Sequence, residues 1–220
     1  MLLSMNVIEL FSSIDGEGKR QGFLTTFLRL HDCNIRCSYC DTLYSYGPES
    51  TFESMSVQAV ADVIEQLENH RITVTGGEPL LQESAIIELI DELTRRNAQY
   101  DFNIETNGTI IPSFHRDNVW FTYDYKTPSS LAEEAMNLDI FKVATPADII
   151  KFVVGSMQDL DRMDEILKTY PTDAQIFVSP VWGNIEGATI IEYMKAHNWQ
   201  NVRFQLQIHK FIWDPDAKGV

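Results

Sequence analysis

The chain has 220 residues, 44% of them hydrophobic, with 17 Lys and Arg against 32 Asp and Glu and a formal net charge of −15. This size and apolar content suit one globular domain spanning 1–220, while so acidic a balance excludes docking on a phosphate backbone, which needs clustered Lys and Arg. No apolar stretch approaches membrane-crossing length, and 1–10 lacks a basic segment followed by an apolar run, so the expectation is a cytoplasmic protein acting on a small molecule, without nucleic-acid or membrane partners.

In chain order the first conspicuous segment is Phe11-Ser12-Ser13-Ile14-Asp15-Gly16-Glu17-Gly18, followed by Gly22. A β-rich run at 25–30, which carries Arg29, then leads into the three cysteines of the chain. Cys33, Cys37 and Cys40 are spaced C-x3-C-x2-C and followed by Asp41-Thr42. Three thiolates can hold three irons of a 4Fe-4S cube and leave the fourth open to a small molecule, whereas electron-transfer clusters use four cysteines. A structural zinc site needs a fourth ligand, here His31 or Asp41, and disulfide pairing leaves one thiol over.

Helical spacing places Val57, Val60, Ile64 and Leu67 on one face after the capping residue Ser56, and Ile86, Ile87, Ile90 and Leu93 on one face of the next helix. The runs 72–75, 102–106, 120–125, 149–154, 176–179 and 202–208 read as strands. Strand and helix in alternation imply a mostly parallel sheet with helices outside it, and the chain is short of the roughly 250 residues of a closed eightfold barrel. The expected fold is therefore α/β, a partial, open (β/α) barrel.

In such a barrel the C-terminal ends of the strands converge on one mouth. Thr75-Gly76-Gly77-Glu78-Pro79 follows the strand at 72–75 and offers backbone that a ligand can approach closely, then a carboxylate suited to an ammonium group. Glu105 and Asn107, alternate residues at the end of the next strand, share a face. Lys126-Thr127-Pro128 ends the third.

The cysteine spacing and the Gly-Gly-Glu-Pro stretch resemble the radical S-adenosylmethionine (SAM) enzymes. With the segment 11–18, Phe27-Leu28-Arg29-Leu30, Cys40-Asp41-Thr42 and the C-terminal Gln205-Leu206-Gln207-Ile208-His209-Lys210, nearly the whole chain resembles the 7-carboxy-7-deazaguanine synthases among them. That family rearranges 6-carboxy-5,6,7,8-tetrahydropterin to 7-carboxy-7-deazaguanine with loss of ammonia, in queuosine and 7-deazapurine biosynthesis.

The resemblance implies a 4Fe-4S cluster on Cys33, Cys37 and Cys40, SAM chelating the open iron, and Mg2+ on the Thr42 hydroxyl. Glu105 and Asn107, from their place at a strand end of the barrel, are expected among the cofactor contacts, and the resemblance assigns SAM contacts to Tyr39, Cys40 and Asp41, to Gly76, Gly77 and Glu78, and to Asp124, Tyr125 and Lys126. Of that last trio only the lysine matches the Ser-Pro-Lys of many members. Substrate contacts fall to Ile14, Asp15, Gly16, Glu17, Arg29, Thr75, His209 and Val220, Asp15 standing where a Gln is frequent. Arg29 offers a fork of donors to a carboxylate, and Glu17 accepts from the amino and ring N–H groups of a pterin. The family further implies a homodimer and an electron donor such as flavodoxin or ferredoxin. The rival readings are a glycyl-radical activase, which shares the cysteine spacing, and a noncatalytic zinc-binding adaptor.

Overall fold

The computed structural model describes residues 3–215 and 217–220. Two antiparallel strands open the chain. β1 (Ser4–Ile14) and β2 (Leu24–Leu30) pair from Ile14 opposite Leu24 to Val7 opposite Leu30, with an irregularity between Val7 and Glu9. The short β3 (Glu53–Ser56) lies along the other side of β1. Alternation in the sequence does not mark β1, because the irregularity shifts its phase part-way along.

From β2 onward the sheet is parallel: β4 (Arg71–Gly76), β5 (Asp101–Thr106), β6 (Val119–Tyr125), β7 (Ile149–Val154), β8 (Gln175–Pro180) and β9 (Val202–Phe204) follow one another in order. The complete order β3-β1-β2-β4-β5-β6-β7-β8-β9 does not close, so the sheet is a partial, open barrel. Helices link the strands: α1 (Val57–Gln66), α2 (Glu83–Arg96), the short α3 (Ile140–Val143), α4 (Met157–Thr169) and α5 (Gly187–Ala196), with α6 (His209–Ile212) after β9. No helix among the described residues is long and apolar enough to cross a membrane.

The strands sort their side chains by parity. Ile72, Val74, Phe102, Ile104, Ile150, Phe152 and Val154 are fully buried in the main apolar core with helix residues such as Val60, Ile64, Ile86, Leu89 and Ile90, each contributing about 1.5–3 kcal/mol by leaving water. Their neighbours Thr73, Thr75, Asn103, Glu105, Thr122, Asp124 and Lys151 take the other face, so the concave side of the sheet is polar. Ser56 caps α1 by accepting from the Ala59 amide at 3.2 Å, as its place before the apolar run suggests. In α2, Leu89 rather than Ile87 joins the buried stripe, and Leu67 lies just past the end of α1.

The strand expected at 202–208 stops at Phe204. Beyond it the backbone leaves the sheet to cross toward the first strands: the Gln205 carboxamide oxygen accepts from the Gly18 amide at 2.7 Å, and the Ile208 amide donates to the Gly16 carbonyl at 3.1 Å.

Candidate active site

The cysteine loop springs from the end of β2. Asp32, in the left-handed region at φ 80°, turns the chain and accepts the Cys33 amide on its own carboxylate at 2.8 Å, a self-capping that makes Asp tolerable there. The segment after β4 packs directly against this turn, its Gly77 amide donating to the Leu30 carbonyl and the Glu78 amide to the Asp32 carbonyl. A Cβ on Gly77 would stand 2.0 Å from the Asp32 carbonyl oxygen and 2.8 Å from the Cys33 Cβ, so only glycine permits the approach.

Glu78 does not reach the cavity. It is fully buried, and its carboxylate accepts from the Leu80 amide at 2.9 Å, the Thr106 hydroxyl at 2.9 and 3.0 Å and the Asn107 amide at 2.7 Å. Rather than awaiting an ammonium group, it clasps the end of β4 to the end of β5. Burial raises its pKa, against those donors.

A cavity of about 290 Å³ opens at the strand ends. On one side stand Cys33, Cys37 and Cys40, all free thiols and partly buried. Asn107 donates to the Asn34 carboxamide at 2.8 Å and lies 3.7 Å from the Cys33 sulfur. Burial pushes the Cys37 thiol up to about 11, against the pull of Lys126, and raises Cys33 as well; bound iron would reverse this by stabilising thiolates. No three His, Cys, Asp or Glu side chains among the described residues converge tightly enough to grip a single metal ion. The corners of an iron-sulfur cube lie further apart than the ligands of one ion, so three unpaired sulfurs on one loop facing one cavity fit the cube.

Beside the thiols, Thr42 lines the same cavity and donates its hydroxyl hydrogen to Asp41 at 3.0 Å, leaving oxygen lone pairs for a hard cation. Asp41, which burial alone would raise, is held down at about 2 by Lys210 at 3.1 Å, by Thr42 and by Arg29. Tyr39 donates to the Val153 carbonyl at 3.3 Å, and burial lifts its pKa to about 12.

The cavity has a charged floor. Lys151 Nζ is 2.5 Å from Glu17 Oε2 and 3.5 Å from Asp124 Oδ2, and Lys126 Nζ is 3.0 Å from that same Asp124 oxygen. Burial would raise Asp124, but the two lysines hold it low. Glu105 is lifted to about 7 by burial, with Asp15 and Glu17 adding to the rise and Lys151 and Thr75 opposing it. The second oxygens, Glu17 Oε1 and Asp124 Oδ1, are buried with no hydrogen-bond partner.

Other expected residues line the cavity with their groups engaged. Arg29 Nε donates to Glu9 at 2.6 Å, and the Tyr44 hydroxyl donates to the same oxygen at 2.8 Å, so the fork meets a ligand with its amino ends only. Asp15 accepts from Arg20 and from Thr25, each at 3.0 Å, and is tied to the barrel floor. The His209 ring sits on Gly16, where a Cβ would stand 1.9 Å from Nδ1; burial lowers its pKa. Ile14, Thr75, Gly76, Gly77 and Val220 also border the cavity.

Tyr125 faces the other way. Its ring packs with Phe141 and Phe152 and its hydroxyl donates to Glu133 at 2.9 Å, because it follows Asp124 on a strand and adjacent residues take opposite faces. Lys151, Glu9 and Tyr44 escape the sequence reading. Lys151 alone leaves a trace, the single charge in Ile149-Ile150-Lys151-Phe152-Val153-Val154.

Residues 29–123 match the model of the Radical SAM superfamily, placing the site among enzymes that use a 4Fe-4S cluster and SAM. Across the full length, the chain is 37% identical to a 7-carboxy-7-deazaguanine synthase of Clostridium acetobutylicum, covering 99% of this chain and 100% of that protein, and 37% identical to one of Methanospirillum hungatei, covering 96% and 86%. The crystal structure of QueE from Escherichia coli shares the fold, with a TM-score of 0.71 over 92% of this chain and 93% of that one at 22% identity. The chain belongs to the 7-carboxy-7-deazaguanine synthase family, a family of radical SAM lyases. These relatives favour neither the activase nor the zinc adaptor.

Proposed function

We propose that this enzyme contracts the ring of 6-carboxy-5,6,7,8-tetrahydropterin to 7-carboxy-7-deazaguanine with release of ammonia. The observation that carries this reading is one cavity lined both by three free cysteines and by Glu17, Arg29 and Lys151. Cys33, Cys37 and Cys40 would hold the cluster. Gly76, Gly77, Asn107, Asp124 and Lys126 would border SAM, with Tyr39 and Asp41, and Thr42 would hold Mg2+. Bound there, the cluster and SAM supply one-electron cleavage of a sulfonium and with it the capacity to take a hydrogen atom from a saturated carbon.

The chain's own residues bind and orient the substrate. The free ends of the Arg29 guanidinium receive the pterin carboxylate, and the Glu17 carboxylate, which lines the cavity, accepts from its amino and ring N–H groups. Asp15, Thr75 and His209 border the ring, and Ile14, Gly16 and Val220 complete its surround. Glu105, near neutral protonation, can donate a hydrogen bond that an ordinary carboxylate cannot. The enzyme is read as one domain over 1–220, cytoplasmic and homodimeric, drawing its electron from a flavodoxin or ferredoxin.

Anaerobic incubation of the reconstituted protein with the carboxytetrahydropterin, SAM, Mg2+ and reductant, followed by mass analysis, tests the reading. Release of 7-carboxy-7-deazaguanine and ammonia is expected; SAM cleavage with neither product would refute it. Replacement of any one of the three cysteines by Ala should abolish SAM cleavage and sharply lower bound iron.

A further inference from the structure

Lys151 is a cation at the floor of the cavity, 8% exposed, that the sequence motifs do not account for. It sits in β7 directly beside Asp124 of β6, the two being register partners in a parallel pair, so both side chains leave the same face of the sheet. Its ammonium spans 2.5 Å to Glu17 and 3.5 Å to Asp124. Glu17 comes from the loop after β1, so this one nitrogen joins elements far apart in the sheet.

The two carboxylates are not equivalent in what else they have. Asp124 also meets Lys126 at 3.0 Å, while Lys151 is the one ion-pair partner of Glu17 among the described residues. Each carboxylate keeps one buried oxygen without a hydrogen-bond partner. On the functional reading above, on which this inference rests, Glu17 meets the pterin and Asp124 meets SAM, both residues lining the cavity. Lys151 stands between them.

We propose that Lys151 is a positioning residue that couples the two ligand subsites, its ammonium shared between Glu17 and Asp124 so that filling either subsite raises affinity at the other. Two carboxylates compete for one ammonium across a buried gap. When N–H donors of a pterin satisfy Glu17, the claim of Glu17 on Lys151 weakens, and the ammonium can close its slack 3.5 Å contact with Asp124. An Asp124 fixed in this way meets SAM already ordered, and by linkage SAM must favour the pterin by the same factor. Burial works against the charge on Lys151, but Asp124, Glu17 and Glu105 together hold its proton far more tightly than usual. It therefore acts as a permanent charge and not as a proton source.

The test is calorimetric titration of the reconstituted holoenzyme, under anaerobic conditions, with 6-carboxypterin in the presence and absence of SAM, and the reverse. This aromatic analogue lacks the saturated C6 hydrogen and is not turned over. In the parent each ligand should tighten the other by the same factor, of the order of tenfold. In Lys151→Met the factor should fall to one, with Lys151→Arg retaining part of it. Asp124→Asn, which disturbs the other end of the bridge and leaves Lys151 in place, should also lose the coupling and serves if Lys151→Met does not fold. A purely structural lysine would weaken both ligands and leave the factor intact. An unchanged factor in the variants, or a factor of one in the parent, overturns the proposal even where the parent releases deazaguanine normally. A parent that neither binds 6-carboxypterin nor releases deazaguanine overturns the functional reading and this proposal with it.

Discussion

Glu105 gives the clearest quantitative prediction. It faces Lys151 of β7, Asp15 and Glu17 from the loop after β1, and Thr75 of β4, and its carboxyl titrates at about 7 where an ordinary Glu titrates at 4.5. Between those values the unfolded chain has released this proton and the folded protein still holds it. The folded state binds more protons there, so stability falls as pH rises through the interval and levels off above about 7. At about 1.4 kcal/mol for each tenfold in proton affinity, the loss from this one group comes to about 3 kcal/mol. Glu105→Gln keeps the shape and cannot ionise. Urea unfolding followed by circular dichroism, compared between parent and variant across this range, cancels the titrations they share. The two should be close near pH 4.5, and the variant should gain on the parent by about 3 kcal/mol by pH 8, while its pterin turnover falls. A parent-variant difference that stays flat across the range would show that Glu105 ionises normally and that the cavity floor is wetter than its burial implies.

Arg20→Met should destabilise the fold by about 3–5 kcal/mol, because it leaves the Asp15 carboxylate buried without its 3.0 Å partner; urea midpoints read this directly. Thr42→Ala should lose stimulation of turnover by magnesium while its cluster absorption and SAM binding persist, and a parent enzyme indifferent to both magnesium and chelator would remove the assignment. Arg29→Ala and Glu17→Gln should each lower kcat/KM for the pterin by roughly ten- to a hundredfold, the equivalent of about 1.5–3 kcal/mol for a charge-assisted hydrogen bond. SAM affinity should change less.

The parallel part of the fold was legible because its strands carry β-rich runs between helices with one apolar face, and Ser56 announced α1. β1 was not, since the shift between Val7 and Glu9 breaks the period on which such reading depends; with it went Glu9, the partner of Arg29. The cysteine loop and the Gly-Gly-Glu-Pro turn could be located from local spacing alone. What Glu78 does could not, because its partners Thr106 and Asn107 lie at the end of β5, far along the chain. Tyr125 shows the opposite case. Strand alternation already implies that Asp124 and Tyr125 cannot both face the cavity, and the structure turns the tyrosine out. Lys151 stood visible as a lone charge in an apolar run, but Asp124 meets it only through the register of β6 on β7, and Glu17 reaches it from the loop after β1.

The clasp at Glu78 separates the making of the polypeptide from the loading of its iron. The root of the cysteine loop is fixed by the backbone pairings of Gly77 with Leu30 and of Glu78 with Asp32, and the loop itself is pinned further on where the Ser38 amide donates to the Ser130 carbonyl. None of these contacts involves a thiol. A small zinc domain unfolds when stripped of its ion, because its ligands are also its core; here the apolar core lies behind the sheet, away from the sulfurs. The chain stripped of its cluster is therefore expected to keep its fold and to accept iron and sulfide again, which circular dichroism before and after cluster removal and reconstitution would check.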